Sequence, residues 1–275
     1  MAGFTGHLHL GAATRADGRT VLREQAFRAP FHVGKPYWDP VARTLLVQVV
    51  NPTAGILARD ELALEVNVGP SAALAVTTPA ATRVFRMNDG EAVSRQRFTV
   101  EAGGWLEVMP EPLVPHRGSR FRQLTTLVAA PGAGLLHVEQ LVPGRVGHGE
   151  AWAWSALELE TSLRVDGELV LRERLDQTGE SLRRLAEAGG SGPAACFAQV
   201  VLVAPAEAAP DEGLIAALHG LQAEGFLIGC SPLHRHGWSV KCVARDAVRL
   251  RAGLHAARAL LARRLPRLGL DLRKL

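Results

Sequence analysis

Over the first 175 residues, apolar side chains recur at every second position in short runs, the period of half-buried strands. In ELALEVNV, Leu62, Leu64, Val66 and Val68 fall on one face, and Glu61, Glu65 and Asn67 on the other. TLLVQVV (Thr44–Val50), AALAVTT (Ala72–Thr78), RQRFTVEAG (Arg95–Gly103) and WLEVMP (Trp105–Pro110) read as similarly short strands. Turn residues punctuate them about every ten positions, as in sandwiches and related all-β folds. SLRVDGELVLRERL predicts a hairpin. Its Asp166-Gly167 suits a type I′ turn, with Leu163 and Val165 facing Leu169 and Leu171.

The pattern changes after Asp176. QTGESLRRLAEAGGSGP reads as a loop with one short helix, with Gly189–Pro193 its flexible part, and CFAQVVLVA as a buried strand. Asp211 is placed to cap a helix with Leu214, Ile215, Leu218 and Leu221 on one stripe and Gly225 at its end. Strands GFLIGCS and GWSVKCV flank Pro232–His236. Asp246 then caps a last helix that aligns Leu250, Leu254, Ala257, Leu261 and Leu265. The expected architecture is mainly β, with helically stacked or sandwich-like sheets and a few short helices, chiefly in the C-terminal third. Residues 1–275 read as a single β-rich domain, with 205–265 a helix-containing part packed on the sheets.

Composition narrows the function classes. No apolar run reaches the roughly 18 to 20 residues that span a bilayer, and MAGFTGHLHLG lacks the basic and apolar regions of a signal peptide. A cytoplasmic protein with no membrane partner is expected. Cys196, Cys230 and Cys242 are too scattered for a disulfide framework and read as small buried hydrophobes. From Arg245 onward nine Arg or Lys stand against two Asp, so the C-terminal helix carries most of the net charge of +4. Such a helix could meet a phosphate backbone. Without interleaved aromatics, a solvated face is expected instead, and no nucleic-acid partner.

Candidate chemistry is sparse. Gly34-Lys35 lies outside a GxxxxGK[ST] frame, and GxSxG, HExxH and GxGxxG are absent. No catalytic residue and no tightly bound cofactor are expected. Two histidine pairs, His7/His9 and His234/His236, could each supply two ligands of a zinc or nickel site and would suit a metal-dependent hydrolase. Singly, Asp60, Glu107, Glu111, Glu139 and Glu150 read as solvated residues. They line a polar path only if the fold gathers them.

Four stretches carry a resemblance: NPTAGILARDELALEV (residues 51–66), TTPAATRVFR (Thr77–Arg86), WLEVMPEPLV (Trp105–Val114) and PGRVGHGEAW (Pro143–Trp152). In order and spacing, from about Arg19 to Leu175 with a looser echo over Gly229–Leu265, they resemble the urease accessory protein D family. The matching positions are Gly55 and Asp60; Thr77, Thr78, Pro79, Ala81, Thr82 and Arg83; Leu106, Glu107 and Pro110; Gly144, Arg145, Gly149 and Glu150. Departures are Arg59, where the family has Gly, Ala80 for Gly, Arg83 for Lys, and Pro112 for a polar residue. The resemblance implies helically stacked sheets and a non-enzymatic maturation scaffold or chaperone. Its partners would be urease apoprotein, accessory protein F and the GTPase accessory protein G, which would supply GTP hydrolysis. It also implies an internal route for nickel, held transiently. Asp60, Glu107, Glu139 and Glu150 are the residues expected to line it, since scattered carboxylates release a borderline divalent ion more readily than a closed cage.

Overall fold

A computed structural model describes residues 3–273. The chain begins as an antiparallel hairpin, β1 (Thr5–Thr14) and β2 (Thr20–Arg28). Short β3 (His32–Val33) and β4 (Tyr37–Asp39) lead into β5 (Thr44–Val50). From there it winds as a helix of strands: β6 (Glu61–Val68), β7 (Ala73–Thr77), the short β8 (Thr82–Val84), β9 (Ala92–Val100), β10 (Trp105–Met109), the short β11 (Leu113–Pro115), β12 (Arg120–Ala129), β13 (Gly134–Leu141) and β14 (Ala156–Val165). The remaining elements are β15 (Glu168–Gln177), α1 (Gly179–Ala188), β16 (Cys196–Val203), α2 (Glu212–His219), β17 (Phe226–Pro232), β18 (Gly237–Ala244) and α3 (Ala247–Leu261).

Successive long strands alternate between two sheets. The first has the order β15-β14-β12-β9-β6-β1-β2. Its five inner strands are parallel, and its two edges are antiparallel. The second follows β17-β18-β16-β13-β10-β7-β5-β3, with β4, β8 and β11 attached. Parallel neighbours need a crossover, and each coil supplies one by visiting the other sheet. The inner faces meet in one core, where Leu8, Leu10, Val66, Phe98, Leu106, Leu127, Leu135 and Leu163 are all at most 1% exposed. The alternation read in ELALEVNV is observed, since Leu62, Val66 and Val68 point inward.

The outer face of the second sheet is covered by α2 and α3 through Leu214, Leu218, Leu250, Leu254, Ala257 and Leu261. Both caps form as expected: Asp211 accepts from the Leu214 N–H and Asp246 from the Arg249 N–H. Helix α2 stops earlier than its stripe suggested, at Gly220 rather than Gly225. Gly225 instead takes a positive φ of 77° in the turn into β17. Leu265 is buried with the stripe but lies beyond the end of α3. The β14–β15 turn has positive φ at both Asp166 and Gly167, as type I′ requires. Leu163 faces Leu171, but Val165 faces Glu168 and Leu169 faces Arg164. A bulge beyond the turn absorbs the extra residue, and Leu169 stays exposed. Among the described residues no helix is long and apolar enough to cross a membrane.

Candidate functional site: the corner wall and the cavity between the sheets

The coils have two unlike kinds of corner. Passing from the first sheet to the second, the chain turns tightly, at residues 69–72, 101–104 and 130–133. Passing back, it makes the long corners 51–60, 78–91, 110–119 and 142–155. Much of the four family-like stretches lies in these long corners, and the corners stack on one another. Ile56 bridges Val84, and β8 pairs with β11 in parallel. Leu113 pairs with Leu141, the Met87 N–H donates to the Gly118 carbonyl, and the Gly118 N–H donates to the Ala153 carbonyl. Segments far apart in sequence thus form one wall joining the two sheets, over a core of Ile56, Val84, Leu113, Trp152, Trp154 and Leu182.

The motif residues hold this wall. Gly55 has a φ of +153°, and a Cβ there would lie 2.5 Å from the Arg83 carbonyl oxygen, so only glycine lets the first corner close on the second. Thr77 donates its hydroxyl to the Met109 carbonyl at 2.8 Å, and the Thr78 hydroxyl accepts from the Glu111 N–H at 2.9 Å. Pro79 follows them in the turn. Arg145 grips Glu150 through two nitrogens at 2.9 and 2.7 Å, closing the turn in which Gly149 adopts a left-handed φ of 67°.

The four carboxylates expected on one path are not gathered. Asp60, 1% exposed, accepts from the N–H groups of Phe4 and Leu57, both at 2.8 Å, and so ties the N-terminal segment to the first corner. Glu107, fully buried, points away from the inner core towards α3. There Arg258 meets it through Nε at 2.6 Å and a terminal nitrogen at 2.9 Å, and also donates to the Leu270 carbonyl. Burial pushes the Glu107 carboxyl above its usual range, and Arg258 opposes that shift. Glu150 belongs to the rim of the wall, where Arg145 holds its carboxyl below the usual range.

Glu139 alone of the four faces the space between the sheets. It accepts from Gln123 at 2.8 Å, Thr161 at 2.8 Å and Thr125 at 3.3 Å, and Gln96 in turn donates to Gln123 at 3.0 Å. These residues, from β9, β12, β13 and β14, form a polar ladder across an otherwise apolar core. His137, 3% exposed, sits two residues from Glu139 against Phe98 at 5.3 Å, and burial lowers its pKa. The ladder borders a cavity of about 210 Å³, walled by the two sheets and the first three long corners. An outer recess of about 420 Å³, lined by Arg251 and His255 of α3, shares Thr77, Thr78, Pro79, Pro110, Glu111 and Gln140 with it. Glu111 accepts from Arg251 at 2.5 Å on that shared rim.

Sequence reading missed the ladder apart from Glu139. Its signal is a polar residue on the apolar parity of a strand: Gln96 in line with Phe98, Gln123 and Thr125 in line with Phe121 and Leu127, Thr161 in line with Leu163.

The other candidates stand apart. His9 lies on the outer face of the first sheet, 2.9 Å from Glu24 and 3.6 Å from Glu65, with His7 exposed beside it. His234 is 3.6 Å from Glu168, in a turn where Arg235 and His236 have positive φ. Among the described residues no three His, Cys, Asp or Glu side chains form a group that could hold a metal ion. All three cysteines are free and buried, and burial pushes the Cys196 and Cys242 thiols up to about 12. The arginines of α3 are engaged rather than arrayed: Arg249 with Asp246, Arg251 with Glu111, Arg258 with Glu107.

Comparison with known proteins agrees with this wall of motifs. A profile described as UreD urease accessory protein matches residues 4–271. A urease accessory protein UreD of Opitutus terrae is 58% identical over 272 residues, covering 99% of each chain. Relatives with the same description from Photorhabdus laumondii (33% identical, 92% of this chain and 80% of the relative) and, as UreD 2, from Streptomyces griseus (34%, 98% and 93%) are similar along most of their length. The chain belongs to the UreD urease accessory protein family.

Proposed function

We propose that the protein is a cytoplasmic scaffold for urease maturation. In this reading it binds urease apoprotein and the accessory proteins F and G, and gives nickel a route between its sheets. Family membership supports the maturation role and a non-catalytic part in it, with GTP hydrolysis left to the G partner. The observation that carries the route is the polar ladder around Glu139. Four uncharged polar side chains, Gln96, Gln123, Thr125 and Thr161, and the Glu139 carboxylate interrupt an otherwise apolar interior. A divalent ion crossing such a core needs oxygen donors that release it, and carboxylate, amide and hydroxyl oxygens are of that kind.

The route runs from the inter-sheet cavity past Glu139 and Gln140 to the shared rim at Glu111, and out to the recess beside α3. Asp60, Glu107 and Glu150 contribute by holding the walls: the first corner, helix α3 and the fourth corner respectively. The test is co-expression with urease subunits and the F and G proteins. Glu139→Ala is expected to co-purify with urease like the parent protein while the nickel content of the urease falls severalfold. Unchanged nickel content would remove the route. Failure of the parent protein to pull down either a urease subunit or an F-type partner would remove the scaffold.

A further inference from the structure

The outward side of the corner wall carries chemistry that the maturation role does not use. His116, in the third corner, is 5% exposed, and its Nε2 has no hydrogen-bond partner. Its ring meets the edge of Phe85 at 4.9 Å, and its backbone N–H is spent on the Val84 carbonyl. A buried imidazole nitrogen without a partner is unusual, because burial strips the water that would satisfy it. Guanidinium groups of the second and fourth corners act on it, and a third, Arg117, is next to it in the chain. Arg83 and Arg145 act on the ring as positive neighbours, together with His148, against the single opposing charge of Glu150. Arg117 follows His116 directly; it donates to the Gly149 carbonyl at 3.3 Å, and its Nε lies 4.0 Å from Glu150. Glu150 is already held by Arg145 through two nitrogens. The Arg83 side chain has no acidic partner among the described residues. The patch therefore keeps a surplus of positive charge beside an unsatisfied ring nitrogen.

We propose that Arg83, Arg117 and His116 form an oxyanion-binding site on the outer side of the corner wall, with Arg145 held at its edge by Glu150. Guanidinium forks match the paired oxygens of a carboxylate or phosphate, and a neutral imidazole can donate its one N–H to a third oxygen. Burial and the neighbouring arginines lower the pKa of His116, which keeps the ring in that neutral form. The site would take a small oxyanion group, either a free ion or a carboxylate presented by an acidic partner segment.

The test uses the full chain with labelled histidine side chains, titrated in separate arms with inorganic phosphate and with a hexaglutamate peptide. In either arm, saturable movement of the His116 ring signals is expected. It should weaken about tenfold in Arg83→Gln and again in Arg117→Gln, since each removes a charge-assisted hydrogen bond. Response to phosphate alone assigns a free oxyanion, and response to the peptide identifies a partner's carboxylates. Both substituted side chains are exposed, so unfolding should not obscure the result. The proposal is overturned if neither probe moves the ring signals at millimolar concentration, or if both variants respond as strongly as the parent protein. Nickel delivery does not enter these readouts, so they stand or fall apart from the nickel route.

Discussion

At the scale of single residues, the backbone explains which family-like positions matter. Arg59 has a φ of +67°, a left-handed conformation that glycine adopts freely and arginine does not. The departure from the family pattern, Arg for Gly just before Asp60, therefore leaves the loop's shape intact at a cost in strain. Its surface pairing with Asp89 offsets little of that. Arg59→Gly is expected to raise stability by about 1 kcal/mol, read as a higher denaturation midpoint with an unchanged m-value. The opposite change at Gly55 has no such latitude. Gly55→Ala drives a methyl group to 2.5 Å from the Arg83 carbonyl and should cost about 2–3 kcal/mol by the same measurement. Asp60 was visible as a residue of interest at the mouth of β6. Its task was not, because its bond to the Phe4 N–H spans 56 positions that no local pattern reports.

Elements were more legible than contacts. Period-2 alternation placed β6, which is buried on one face, while β5, β7 and β10, buried on both, were legible as short apolar runs between turn residues. Asp211 and Asp246 marked helix starts for an equally local reason, a carboxylate facing N–H groups three residues on. What joins elements was hidden. Glu107 read as a solvated strand residue, yet it anchors α3 through Arg258, 151 positions away. With Glu107 fully buried, Glu107→Ala would strand the Arg258 guanidinium, so a loss of about 3–5 kcal/mol is expected. Substituting both partners, Glu107→Leu with Arg258→Met, should recover much of it, because the pair is costly to desolvate. A double-mutant cycle by chemical denaturation checks both outcomes.

For the molecule as a whole, the stacked corners and the two buried histidines set how it responds to pH. His116 and His137 both have pKa values lowered from the ordinary 6.5, chiefly by burial. The unfolded chain then binds protons more readily than the folded one once pH falls below about 6.5. Stability should therefore be full above pH 7 and decline as pH drops towards 5, each histidine adding a slope of up to about 1.4 kcal/mol per pH unit. Thermal denaturation across pH 5 to 8 would show it, and His137→Gln should flatten part of the slope. A stability independent of pH over that range would mean that neither ring is buried as described. The polar ladder belongs to this scale too. Its residues come from four strands, and each looks unremarkable until the coils bring them opposite Glu139.

The five parallel strands of the first sheet would, by themselves, form an open-ended stack that could grow by adding copies. Both ends instead close on a strand running the other way: β2 beyond β1, and β15 beyond β14. Each is studded with charge, Arg23, Glu24 and Arg28 on one, Glu168, Arg172, Glu173, Arg174 and Asp176 on the other. Charged side chains on an edge strand are a device by which sheets discourage edge-to-edge pairing, and both ends of this sheet carry it.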